Sequence, residues 1–178
     1  MAGARRGDWF DAAAHLRLDA AMGESKYKLA VFDLDFTLWD AGGTWCDCLT
    51  PPFRKTAQGV LDARSAKVRV YEDALWALER CRELDLDVAV ASRTNEPDWA
   101  RELLDLLELR DRFRWEEIYP SSKVRHFAAL KEKSGYIYEE MLFFDDERRN
   151  IVEVGALGVR AVHVRDGFRR GVAEKELG

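Results

Sequence analysis

Histidine and cysteine are both scarce here: the 178-residue chain holds three of each. An odd cysteine count argues against a disulfide framework. Cys46 and Cys48 form a C-x-C with no second ligand pair, and a structural zinc site needs four spaced ligands, so they read as reduced thiols. His15, His126 and His163 match no metal-ligand spacing and read as structural or surface residues. No apolar run approaches the ~20 residues that span a bilayer, and no secretory h-region is seen near Met1. Excess positive charge is lacking too: the net charge is −5, so no general basic surface exists for nucleic acid. The expectation is a cytoplasmic protein with neither a membrane nor a nucleic-acid partner. The sequence sets no oligomeric state and is compatible with a monomer.

What is present fits one globular domain. Hydrophobic residues make up 47% and charged residues 34%, an ordinary balance for a chain that buries a core. Residues 1–27 are Ala-rich without a strand signal and are expected to form a flexible N-terminal extension, with Trp9, Phe10, Ala13 and Leu16 as a weak amphipathic stripe. Asp8, Asp11, Asp19 and Glu24 argue against a transit peptide. Over residues 28–178 strands and helices alternate. Strands are expected at 29–33, 67–70, 87–91, 115–119, 141–144 and 159–164, with helices at 72–84, 96–107, 121–133 and 147–156. The stretch 38–66 reads as irregular, with room for a hairpin at most. Such alternation implies an α/β fold with a mostly parallel central sheet.

Three of the apolar runs end in polar residues. Leu29-Ala30-Val31-Phe32 leads into Asp33-Leu34-Asp35, Met141-Leu142-Phe143-Phe144 into Asp145-Asp146, and Val88-Ala89-Val90-Ala91 into Ser92-Arg93-Thr94. Asp is depleted in strands, and ligands of open α/β sheets bind beyond the strands' carboxyl ends. If the three strands are neighbours, four carboxylates and a hydroxyl converge. Carboxylates that close cannot all stay ionised unaided. A divalent cation and a lysine would relieve the repulsion, and an all-oxygen ligand set favours Mg²⁺. Taken singly, each residue has a plainer reading: Asp145, Asp146 and Ser92 as helix or turn caps, Lys123 as a solvated lysine, Arg93 as a surface residue.

Taken together and in order, the segments KLAVFDLDFTLW, ASRT, EIYPSSKVRHF, FFDDERRNI and HVRDG resemble the four motifs of the haloacid-dehalogenase-like superfamily. They are most similar to its magnesium-dependent phosphatase 1 family, over about residues 28–168. The resemblance implies a three-layer Rossmann-like fold and an Mg²⁺-dependent phosphatase. It implies Asp33 as nucleophile, Asp35 as acid and base, and Lys123 as the cation that neutralises Asp33 and phosphate. It also implies Leu34, Asp35, Ser92, Arg93 and Lys123 around the phosphate. The implied metal ligands are Asp33, Asp35 through its backbone carbonyl, and Asp146, with Asp145 nearby. Thr37 is expected to hydrogen-bond within the first loop. An Asp two residues after the nucleophile points to a phosphatase or phosphomutase, since dehalogenases need no leaving-group acid and P-type ATPases carry Thr there.

One departure concerns Asn150, which stands where many members have an acid; its amide oxygen is expected to accept from a metal-bound water. No large cap domain fits between Asp35 and Tyr71 or between Ser92 and Lys123. The leaving group is therefore expected to be read by the 38–66 loop with Trp39, Trp45 and Phe53, although Trp39 and Trp45 also read as core. The substrates that the resemblance suggests are phosphate on a protein side chain, as phosphotyrosine or fructosamine-6-phosphate, or a sugar phosphate. A phosphatase for a small free metabolite and a non-enzymatic interaction module with this fold are the alternatives.

Overall fold

A computed structural model describes residues 25–178. The expected extension 1–27 lies almost wholly outside the described residues. The strands are β1 (Leu29–Phe32), β2 (Trp39–Asp40), β3 (Arg54–Thr56), β4 (Gly59–Leu61), β5 (Lys67–Val70), β6 (Asp87–Ser92), β7 (Trp115–Ile118), β8 (Met141–Asp145) and β9 (Arg160–His163). The helices are α1 (Glu72–Glu83), α2 (Pro97–Leu106), α3 (Lys123–Ser134), α4 (Arg148–Gly155) and α5 (Arg170–Leu177). The central sheet runs β7-β6-β1-β8-β9 with every pairing parallel. This is the expected α/β, three-layer Rossmann-like architecture.

Both faces of the sheet are covered, which is why β1 is apolar without a break. Successive side chains of a strand point to opposite faces. Ala30 and Phe32 join a core built with Ala77 and Leu78 of α1, Leu103 and Leu104 of α2, and Ala173 and Leu177 of α5. Leu29 and Val31 join the opposite core with Phe127 and Leu130 of α3 and Val154 of α4. Phe32 stacks on Phe144 of the neighbouring strand at 5.1 Å. Tyr27 packs against the first core and its hydroxyl donates to Glu176 Oε2 at 3.3 Å.

The stretch 38–66 is not irregular. β2, β5, β4 and β3 make a small four-stranded antiparallel sheet, in that order. β3 carries no apolar alternation, Arg54 and Lys55 both being exposed, so periodicity could not announce it. Gly59 is required at the hairpin: it sits at φ +125°, and a Cβ there would lie 2.4 Å from the Val68 carbonyl oxygen. Asp62 holds the next turn by accepting from the amides of Thr50, Arg64 and Ala66 at 2.9, 2.8 and 2.7 Å. This sheet is no cap domain. Helix α5 was also unannounced, since Ala173 and Leu177 alone mark its buried face. It docks on α1, where Arg80 Nε donates to the Leu177 carbonyl at 2.9 Å.

β1 lies between β6 and β8, so Asp33, Ser92 and Asp145 stand side by side at the carboxyl edge. Phe32 is level with Val90 and Phe144, and the Asp33 amide donates to the Phe144 carbonyl at 3.0 Å. Lys123 is the first residue of α3, whose N-cap Ser122 accepts from the Arg125 amide. A cation there opposes the helix dipole, so local helix energetics do not explain it.

Candidate active site

The loop after β1 is wound tightly. The Leu34 carbonyl accepts from the amides of Thr37, Leu38 and Trp39 at 3.3, 2.8 and 3.1 Å, and Phe36 takes a left-handed φ of 56°. This winding carries Trp39 back over Asp35. The indole Nε1 donates to Asp35 Oδ1 at 2.7 Å, and the Cys46 amide donates to the same oxygen at 3.0 Å. Burial raises the Asp35 pKa, and these two hydrogen bonds pull it partly back. The expected hydrogen bond of Thr37 is not made: its hydroxyl is buried without a partner, and the Leu34 carbonyl holds the loop instead. Leu34 itself is fully buried in the core. Its side chain is not among those that line the pocket.

Beside this loop lies the charged centre. Lys123 Nζ is 2.5 Å from Asp33 Oδ1 and 3.1 Å from Asp145 Oδ2, and it also donates to the Ala91 carbonyl. Lys123 is 1% exposed and Asp145 is wholly buried, while Asp33 keeps one side open to the pocket. Burial alone would lower the Lys123 pKa, but Asp33 and then Asp145 outweigh it and raise it. Burial pushes Asp33 well up; Lys123 opposes this and Asp145 adds to it. Burial, then Asp145, pushes Asp146 up to about 7. Three carboxylates thus face one ammonium. Asp33, Asp145 and Asp146 each offer a ligand atom, and these atoms lie within 4.8 Å of one another. Oxygen donors in negative excess fit Mg²⁺, which binds through a few carboxylates and keeps several waters.

Asp145 is the more constrained of the pair. It accepts from the Glu147 amide at 2.7 Å and from Asn150 Nδ2, 3.0 Å from each of its oxygens. Asp146 is only partly buried and lines the pocket, and its carbonyl is 2.7 Å from His163 Nε2. Asn150 lines the pocket as well. Its amide oxygen accepts from Arg93 Nη1 at 3.2 Å and its nitrogen serves Asp145, so it links those two side chains. Arg93 also pairs with Glu147 at 3.4 Å. Ser92 lines the pocket, its Oγ accepting from the Thr94 amide at 3.4 Å.

The pocket holds about 170 Å³ and brings together Asp33, Asp35, Ser92, Arg93, Lys123 and Asp146. Of the three aromatic residues expected to read the leaving group, Trp45 alone stands on it. It is 55% exposed and meets Phe36 edge-on at 6.1 Å. Trp39 is wholly buried, and Phe53 packs into the core against Trp99 at 6.1 Å. Asp47, Thr94, Glu147 and Arg149 also line the pocket. They sit within two or three residues of expected site positions, but no spacing rule singled them out. Cys46, Cys48 and Cys81 are free thiols, as expected.

The family model described as Acid Phosphatase matches residues 26–178. Over 143 residues the chain is 47% identical to Magnesium-dependent phosphatase 1 of Homo sapiens, covering 79% of this chain and 80% of that one. The chain belongs to the magnesium-dependent phosphatase 1 family of the haloacid-dehalogenase-like superfamily. A second member of the superfamily, a HAD-like hydrolase superfamily protein of Schizosaccharomyces pombe, is 38% identical over 145 residues, covering 74% of this chain and 82% of its own. Two solved structures share the fold. A HAD-superfamily hydrolase from Ehrlichia chaffeensis superposes with a TM-score of 0.61 at 13% identity, over 86% of this chain and 99% of that one. L-2-haloacid dehalogenase from Xanthobacter autotrophicus gives 0.56 at 16% identity, over 77% of each chain. Among the described residues no helix is long and apolar enough to cross a membrane.

Proposed function

We propose that this protein is an Mg²⁺-dependent phosphatase that hydrolyses phosphomonoesters through an aspartyl-phosphate on Asp33. The observation that carries this reading is the buried Lys123–Asp33 contact of 2.5 Å at the strand ends, with Asp35 held in the adjoining loop. Lys123 favours the ionised form of Asp33 against the effect of burial and holds its Oδ1 in place. An Asp33 carboxylate oxygen attacks phosphorus while Asp35 gives its proton to the departing oxygen. Asp35 then takes a proton from the water that cleaves the aspartyl-phosphate. Ser92, the Leu34 amide and Arg93 bind the phosphoryl oxygens, and Lys123 adds charge where it develops. Asp33, Asp146 and the Asp35 carbonyl would hold Mg²⁺, with Asp145 beside them. Bound there, the cation supplies charge neutralisation for the carboxylates and the phosphoryl group. The human relative's name gives the same activity and metal.

This reading is tested with a generic aryl phosphate and purified protein. EDTA should abolish turnover and added Mg²⁺ should restore it. Full activity in excess EDTA would overturn the metal assignment, and no turnover with Mg²⁺ present would favour an interaction module.

A pocket of about 170 Å³ is smaller than the ~300–1,000 Å³ that encloses a typical small-molecule ligand. It takes a phosphoryl group and leaves its carrier outside. This supports a protein-linked substrate, such as phosphotyrosine or fructosamine-6-phosphate, or a sugar phosphate, over an enclosed free metabolite. Trp45 then becomes the apolar contact for the carrier. Trp45→Ala should lower kcat/KM for bulky aryl or sugar–lysine phosphates by about 10-fold or more, as lost apolar contacts do. Acetyl phosphate should be nearly unaffected. Equal losses on both substrates would make Trp45 structural.

A further inference from the structure

We infer that Trp39 is a positioning residue for the proposed acid: its indole N–H, together with the Cys46 amide, fixes Asp35 Oδ1 so that Oδ2 is the oxygen that delivers the proton. This inference rests on the assignment of Asp35 as acid. Trp39 is completely buried, yet its one polar atom is spent on Asp35, at 2.7 Å. The Cys46 amide meets the same oxygen at 3.0 Å. No N–H among the described residues reaches Oδ2, while Asp35 itself lines the pocket. A carboxyl group with both N–H donors on one oxygen carries its proton on the other, because a protonated Oδ1 would turn a hydrogen toward two donors.

The second donor links this arrangement to the phosphate end of the site. Cys46 begins the 3₁₀ turn Cys46–Cys48. Its thiol contacts Thr94 Oγ1 at 3.5 Å, and Asp47 accepts from Asn95 Nδ2 at 3.0 Å. Thr94 and Asn95 follow Ser92 and Arg93, so the loop that grips Asp35 also touches the segment proposed to bind the phosphoryl group. In the attack step the P–O bond to the leaving group breaks as the Asp33–P bond forms. The bonding pair goes to the leaving oxygen, which takes the Oδ2 proton and departs as an alcohol. An acid held by two donors at one oxygen has that proton aimed before substrate arrives.

The experiment compares kcat/KM on aryl phosphates of near-equal size, from p-nitrophenyl to p-methylphenyl phosphate. This constant covers steps only as far as aspartyl-phosphate formation, so the later base role of Asp35 does not enter. A nitrophenolate departs without a proton and a cresolate needs one. General acid catalysis contributes about 10²–10⁴-fold. Trp39→Phe should therefore lose about 10-fold more on the methyl substrate than on the nitro substrate. A lower folded fraction scales both alike and leaves the ratio intact. Asp35→Asn should steepen the same dependence further. If Asp35→Asn steepens it and Trp39→Phe does not, the positioning role is overturned while the acid stands. If neither steepens it, the reading of Asp35 fails and the inference falls with it. Should Trp39→Phe not fold, NMR decides: the Trp39 indole proton should move upfield in Asp35→Ala, and an unmoved resonance overturns the inference.

Discussion

Asp33→Asn is expected to reduce turnover of any phosphomonoester by about 10⁴-fold or more, the scale at which loss of a covalent nucleophile acts. The replacement is nearly isosteric, and its amide oxygen can still accept from Lys123. What disappears is the anion that attacks phosphorus, and nothing else in the pocket replaces it. Asp145, the other carboxylate on Lys123, is wholly buried and is held by Asn150 and the Glu147 amide. The fold should persist, because the change removes one of three carboxylates facing a single ammonium. Far-UV circular dichroism and urea unfolding should match wild type to within ~1 kcal/mol. Residual turnover within 10-fold of wild type, in protein purified free of contaminating phosphatase, would transfer the nucleophile to another residue.

The strand ends were legible because burial and chemistry demand opposite residues on either side of one boundary. A strand covered on both faces must be apolar throughout, so Leu29–Phe32 and Met141–Phe144 stand out, and the carboxylates that end them stand out against them. The expected element ends differ from those observed by one or two residues, as helix and strand termini fray. The small antiparallel sheet was hidden for the converse reason. Its strands are only two to four residues long, too short for a period to show, and Arg54 and Lys55 of β3 carry no apolar pattern. The departures within the site share one cause: hydrogen-bond partners are not a local property of sequence. Thr37, between Phe36 and Leu38, is buried with its hydroxyl orphaned, because the Leu34 carbonyl holds the loop through backbone amides. Asn150 links Arg93 to Asp145, and Trp39, as apolar as any core residue by composition, spends its N–H on Asp35. That Phe53 would turn away from the pocket, and Trp45 toward it, followed from the course of the connection between β2 and β3, which composition does not encode.

Lys123→Met should damage both stability and catalysis, and the two effects can be separated. Lys123 is 1% exposed and touches Asp33 Oδ1 at 2.5 Å and Asp145 Oδ2 at 3.1 Å. Methionine fills a similar volume but leaves two buried carboxylates without their cation. Removing one partner of a buried ion pair costs about 3–5 kcal/mol, chiefly through the charge left behind. Urea unfolding in the presence of EDTA should show a loss of that size, with no metal to offset it. Turnover with Mg²⁺ should fall by about 10²–10³-fold, the scale for losing one preorganised electrostatic partner of the reacting group. If uncompensated charge is the cause, removing a carboxylate as well should help. The double variant Asp33→Asn/Lys123→Met should then be more stable than Lys123→Met alone by about 1 kcal/mol or more, as contacting residues couple by 0.5–3 kcal/mol, while remaining inactive. A double variant less stable than Lys123→Met would mean that packing of the lysine stem, rather than its charge, holds this part of the core together.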